Sequence, residues 1–322
     1  DNPSIPLDLY YDISDEDYVK VWSQSHAGGL PSNQVLPTAS ELKLATYTLD
    51  SAVDFDRRYA AKSRMDVVGK TFSRVAQEIL LKQERTSASL VMTSLANATI
   101  NTSPLAGDAH VFRSALAGSF LIDDLNKLMT LAKRINTSWI GGTPATRTRG
   151  ITDLIVSPEI IGSIRSMAYN PVNTRGGDGS GAAGDASTAN PIAAPESLRE
   201  DLFRNAGLDS FMGLNILEFN EMGKGQKFNT IFDTAAGTTN YSKFDGNGTA
   251  QFNGATTEII VGVDRTRDSL MRVVATDPDS NSEMNLIADD QYSVRQNKIG
   301  YYGQIEEGRV VLDNRVLLGC IV

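Results

Sequence analysis

The chain has 322 residues, enough for about two domains with separate cores, and its 41% hydrophobic and 21% charged residues exclude wholesale disorder and collagen-like or coiled-coil extremes. A formal net charge of −9 argues against tight, non-specific binding to phosphate backbones, which needs Lys and Arg to neutralise phosphates. No window approaches the ~20 apolar residues of a spanning helix, and a single cysteine, Cys320, excludes an intrachain disulfide or a multi-cysteine zinc site.

The opening stretch to about Pro37 carries Pro3, Pro6, Pro31, Pro37, an acidic run over Asp12 to Asp17, and Gly28-Gly29. It reads as an extended arm that finds its partners outside a compact core. From Glu41 to Tyr59, Leu42, Leu44, Val53, Phe55 and Tyr59 recur mostly at even spacing, which predicts partly exposed β structure. From Met65 the period changes, and Val68, Phe72, Val75 and Ile79 step by four and three, with Leu90 and Leu95 continuing the stripe. That spacing predicts one long amphipathic helix, with Gly69 and Thr86-Ser87 as its weak points.

A second helical pattern covers Phe112 to Ile135, with Lys133-Arg134 suited to the negative end of the dipole. Ile151 to Val156 predicts a short strand, and Ser157-Pro158-Glu159 predicts a helix start, with a capping Ser ahead of Pro in the first turn. Residues Asn173 to Pro195 are rich in Gly, Ala, Ser, Thr and Asn and read as a flexible excursion. Helical signs return over Glu196 to Asn205, and Gly213 to Phe219 reads as a strand. Small polar residues dominate from Gly223 to Gly254, with Asp245-Gly246-Asn247-Gly248 as a turn signal. Glu258 to Val263 and Leu270 to Ala275 predict further strands. The tail alternates through Tyr301, Gly303 and Ile305, then ends in apolar Leu317 to Val322, a terminus expected inside a sheet.

No stretch supplies a placed active site. Gly179 to Gly184 matches G-x-G-x-x-G but lacks the strand before it and the helix after it, so a loop is the better reading. Asp277 to Glu283 begins like a calcium loop, yet Ser282 and Ala288 stand where Gly and a bidentate Glu are needed. His26 and His110 have no triad spacing, and Cys320 lies in an apolar strand where a thiol is a small hydrophobe. The triplets at Asn97, Asn101 and Asn136 match glycosylation acceptors and read as chance matches. No catalytic residue, cofactor or metal is expected, and the chain is not expected to be an enzyme.

In the order arm, β excursion, long helix, second helix, α/β lobe and returning strands, the chain resembles the Hong Kong 97-type major capsid protein of tailed bacteriophages. Thr152 to Glu159 looks like the strand-to-helix step into that family's axial domain, Gly213 to Phe219 like one of its strands, and Ile299 to Val322, with Gly300-Tyr301-Tyr302-Gly303, like the peripheral strands. The resemblance implies an α+β fold with an N-terminal arm at 1–26, an extended loop at 27–62 and a peripheral domain with its spine helix at 63–149. The axial domain would follow at 150–289 and peripheral C-terminal strands at 290–322.

It implies a structural protein that self-assembles, as hexamers and pentamers, into an icosahedral shell around double-stranded DNA. Decoration, portal and scaffold proteins would be further partners, contact with DNA would be weak and non-specific, and there would be no membrane. Assembly would take place in the bacterial cytoplasm, and Asp1, which is not an initiator Met, would be a protease-processed terminus. Asp54, Asp56, Arg57 and Arg58 are the candidate intersubunit contacts. An isopeptide crosslink, known in some members of the family, would draw on Lys43 or Lys62, Asn297 and Glu306 by rough position. The alternatives are a bacterial nanocompartment shell enclosing cargo protein and, from another class, a secreted surface or adhesive module.

Overall fold

The computed structural model describes residues 4–6, 41–58, 66–98, 110–135, 150–169, 210–246, 248–266, 269–276, 282–289 and 297–322. In chain order the elements are β1 (Ser4–Pro6), β2 (Glu41–Lys43), β3 (Tyr47–Asp56), α1 (Asp66–Ala96), β4 (Val111–Arg113), α2 (Ile122–Ile135), β5 (Asp153–Val156) and α3 (Pro158–Tyr169). There follow β6 (Ser210–Phe211), β7 (Leu214–Glu218), α4 (Lys227–Ala236), β8 (Asn240–Ser242), β9 (Thr249–Gln251) and β10 (Ile259–Val263). The last are β11 (Leu270–Val274), β12 (Asn285–Asp289), β13 (Lys298–Val311) and β14 (Leu317–Ile321). The polar stretch from Asp277 to Glu283 lies mostly outside the described residues, as do the 173–195 excursion, the 196–205 helix, His26 and Lys62.

The described residues divide into two compact units. The first draws on 1–9, 38–90 and 270–312. Its centre is β13, fourteen residues long. Along one side β13 pairs antiparallel with all of β3, from Lys298 opposite Asp56 to Glu307 opposite Tyr47. Along the other side it pairs end to end with β12 and β11. The helix α1 is a single run of 31 residues, about 46 Å long, with Gly69 and Thr86-Ser87 inside it. Thr86, Ser87 and Ser89 return their hydroxyls to the carbonyls four residues back at 2.7–2.9 Å, so these polar side chains are satisfied without breaking the helix.

The second unit draws on 10–37, 91–269 and 313–322 and is built on a six-stranded sheet in the order β4-β14-β10-β5-β7-β6. The apolar terminus is a central strand, as its sequence predicts: β14 runs antiparallel to β10 and parallel to β4, and all five of its residues are buried. Leu154, Ile216, Ile260, Leu318 and Cys320 from the sheet pack against Leu125 and Leu128 of α2 and Ile160, Ile161 and Ile164 of α3. Gly319 lets the elements pack closely there, since a Cβ would stand 3.0 Å from Val111 Cγ2 and 3.2 Å from Leu95 Cδ2 and those side chains would have to shift. The final strands thus serve both units, β13 in the first and β14 in the second.

Two expectations are corrected. The helix expected over Phe112 to Ile135 begins only at Ile122: Val111–Arg113 is a strand, drawn into the sheet by β14, and Gly118 at φ +77° turns the chain before the helix. Asp124 receives the Leu121 amide at 3.1 Å and so closes the first turn of α2. The small polar stretch from Gly223 to Gly254 contains a helix, α4, whose Phe228, Phe232 and Ala236 form a buried stripe at four-residue spacing, followed by the β8–β9 hairpin. The Asp245-Gly246 turn signal falls in that hairpin.

Candidate assembly surface

The candidate contact residues lie on the long β3–β13 ladder of the first unit. Period-two alternation gives it two unlike faces. Tyr47, Leu49, Ser51, Val53 and Phe55 are half-buried and face α1, where Phe55 and Phe72 stand 6.4 Å apart and Phe72 and Tyr301 stand 4.8 Å apart, both edge-to-face. Thr48, Asp50, Ala52 and Asp54 are exposed on the opposite face. On that outer face a row runs Ala52–Tyr302–Ile287 across three strands, with Ile287 48% exposed.

Acidic residues flank the row. Lys298 Nζ holds Asp54 Oδ2 at 2.5 Å, and the Tyr302 hydroxyl donates to Asp50 Oδ2 at 3.2 Å. The Lys298 hydrogen bond holds the Asp54 carboxyl below the usual carboxylate range. Beside β3, an open groove of about 440 Å³ is lined by Ser51 and Val53 and by Lys70, Thr71, Arg74, Val75 and Glu78 of α1.

The four candidate contact residues lie together at the end of this ladder. Asp56 Oδ1 accepts the Arg58 amide at 2.9 Å, and Arg57 N–H donates to the Asn297 carbonyl at 3.0 Å, so this corner is ordered by its own backbone. Of the crosslink candidates, Asn297 and Glu306 are not brought together within one chain, and Lys62 lies outside the described residues. Lys43 ends β2 and is exposed. Asn297, at φ +52°, precedes β13, while Glu306 lies nine residues along the same ladder, about 30 Å away, and accepts from Thr46 Oγ1 at 2.7 Å.

The residues that fasten the ladder to α1 escaped the sequence reading. Glu307, wholly buried, accepts from Tyr47 OH at 2.9 Å, Gln83 Nε2 at 3.1 Å, Arg272 Nε at 2.9 Å and Arg309 Nε at 3.1 Å. Burial pushes its carboxyl up, but hydrogen bonds from Arg309, Arg272 and Tyr47 outweigh that and hold it below the ordinary value. The pattern Glu307-x-Arg309, opposite charges on one face of a strand, was the signal that could have found it. His110 is also buried, its Nδ1 2.9 Å from the Leu317 carbonyl and its pKa lowered by burial, so it ties β14 in place.

No family model and no curated protein matches the sequence. Solved structures do. The chain is similar to one from the capsid of the cyanophage P-SCSP1u, at 12% identity and TM-score 0.52, over 94% of this chain and 80% of that one. The chain has the fold of a phage capsid protein. It is likewise similar to one from the capsid of a native GTA particle, at 13% identity and TM-score 0.50, over 99% of this chain and 84% of that one. A third structure, the SrpI encapsulin complex from Synechococcus elongatus, matches at 12% identity and TM-score 0.47, over 88% of this chain and 76% of that one. The fold is mixed α+β, and the likeness to the two capsid structures covers 94% and 99% of this chain.

Proposed function

We propose that this chain is a major capsid protein that self-assembles, as hexamers and pentamers, into an icosahedral shell around the DNA of a tailed phage. The observation that carries the reading is the β3–β13 ladder: ten paired residues whose outer face leaves Ile287 and the β3 side chains Thr48, Asp50, Ala52 and Asp54 in solvent, within a capsid fold. A structural role follows, and the virion is the place of action. Residues 1–26 act as the arm, 27–62 as the extended loop and Asp66–Ala96 as the spine helix.

Asp54, Asp56, Arg57 and Arg58 meet charges on adjoining subunits. Each exposed pair contributes only ~0–1 kcal/mol, so many copies are needed for them to matter. The shell closes without covalent bonds. Scaffold, portal and decoration proteins are its further partners, and packaged DNA touches it weakly and without sequence preference. Negative-stain microscopy of the purified chain tests the reading: closed shells or capsomer rings are expected, and a monomer under every assembly condition overturns it. Shells filled with protein in place of DNA would point to a nanocompartment.

A further inference from the structure

Among the described residues β3 pairs with β13 alone, and no described strand lies along its other edge. The direction of its backbone groups can be fixed. Arg57 N–H donates to the Asn297 carbonyl, so the pair at 57 and 297 is of the hydrogen-bonded kind. With a period of two, the odd residues of β3 turn their backbone groups toward β13, and Thr48, Asp50, Ala52 and Asp54 turn theirs to the other edge. The far side of β13 agrees, since the Glu306 carbonyl accepts there from Ala275. The groove lined by Ser51 and Val53 leaves space beside the edge.

A ten-residue edge of this kind is a template for the same strand of another molecule. Antiparallel pairing centred on Ala52 places Asp50 opposite Asp54 of the second copy, twice. Centring on Asp50 or on Asp54 sets that carboxylate against itself, and centring on Val53 sets Asp50 against Asp56. The register centred on Ser51 avoids direct opposition but leaves the carboxylates diagonal on the same face. Lys298 offsets the charge of Asp54, whereas the partner of Asp50 is a phenol hydroxyl, which brings no positive charge.

We propose that Asp50 and Asp54 bar this edge of β3 from pairing antiparallel with β3 of a second copy. The proposal does not depend on shell formation.

The test is disulfide trapping. In the register centred on Ala52, an Ala52→Cys pair would be directly opposed with Cα atoms about 5.5 Å apart, within bonding range. Cys320, the other thiol, is buried. Under mild oxidation, A52C alone is expected to give little dimer on a non-reducing gel, and A52C with D50N and D54N about tenfold more. A52C with D50E and D54E should stay at the low level. Equal dimer in all three proteins, or none in any, overturns the proposal. Circular dichroism and thermal melts confirm that each variant is folded, and shells that form normally in a variant with no change in trapping would sink this inference alone.

Discussion

The Gln83 amide, midway along α1, donates to Glu307 Oε2 at 3.1 Å, so a helix and a strand 224 residues apart in sequence meet at one buried carboxylate. Arg272 and Arg309 neutralise it from two strands and Tyr47 closes it from a third. Truncating a buried ionic centre leaves its partners uncompensated. Glu307→Ala should therefore destabilise the first unit by about 3 kcal/mol, at the low end for such a loss, because Arg272 can turn to solvent and to Glu283. Urea unfolding followed by the signals of that unit checks this, and a change under ~1 kcal/mol would contradict it.

The same carboxyl makes the first unit acid-sensitive. Its folded pKa lies below the ordinary 4.5, because the hydrogen bonds from Arg309, Arg272 and Tyr47 outweigh burial. The stabilisation is therefore complete above that value and is lost as pH falls through the folded pKa. The urea midpoint should hold from pH 7 to about 5 and drop below about 4. In Glu307→Gln the midpoint at pH 7 should be lower and the acid drop shallower. Parallel curves for the two proteins would rule out Glu307 as the titrating group.

Two glycines should respond in opposite directions. At Gly308 a Cβ would stand 2.9 Å from the Ala45 carbonyl oxygen, a backbone atom that cannot swing aside, so Gly308→Ala should cost about 1–3 kcal/mol. Gly69 is exposed within α1 with nothing within 4 Å of its Cβ position, so Gly69→Ala should stabilise by about 0.5–1 kcal/mol. Thermal melts of the two variants should bracket the parent protein.

Sequence revealed what is local and strongly periodic. The stripe through Val68, Phe72, Val75 and Ile79 marked α1, Ser157-Pro158 marked the start of α3, and the apolar run to Val322 marked a buried strand. Phe112 was misread because its spacing to Leu116 and Phe120 is helical, while its pairing with Cys320 is set by a strand two hundred residues later. The helix α4 was hidden among small polar residues, with only Phe228 and Phe232 signalling it. On the β3–β13 ladder, sequence marked the charged corner at Asp54 to Arg58. It did not mark Glu307, whose partners come from four elements that only the fold brings together.

Tyr241 offers a test of an unmet polar group. Its hydroxyl is buried with no hydrogen-bond partner among the described residues, and burial alone pushes its pKa up to about 12. The ring packs against Phe232, their centroids 5.9 Å apart. Tyr241→Phe keeps that packing and removes the unsatisfied group, so stability should rise by up to about 1 kcal/mol. A loss of more than ~1 kcal/mol would mean that the hydroxyl has a partner in solution.

Cys320 reports on the second unit. It is wholly buried in β14, between β4 and β10, and burial pushes its thiol far above the usual range, so little thiolate exists to react. A thiol reagent should leave the native protein unmodified over many minutes and label it stoichiometrically in denaturant. The labelling midpoint in urea should follow the unfolding of the second unit, because β14 cannot expose one residue without breaking both of its ladders. Leu318→Ala, beside it in the same core, should lower that midpoint by the equivalent of about 2–5 kcal/mol. Glu307→Ala, which acts in the first unit, should move it far less if the two units unfold separately. Fast labelling of the native protein would show that the terminal strand opens by itself and is not a fixed part of the sheet.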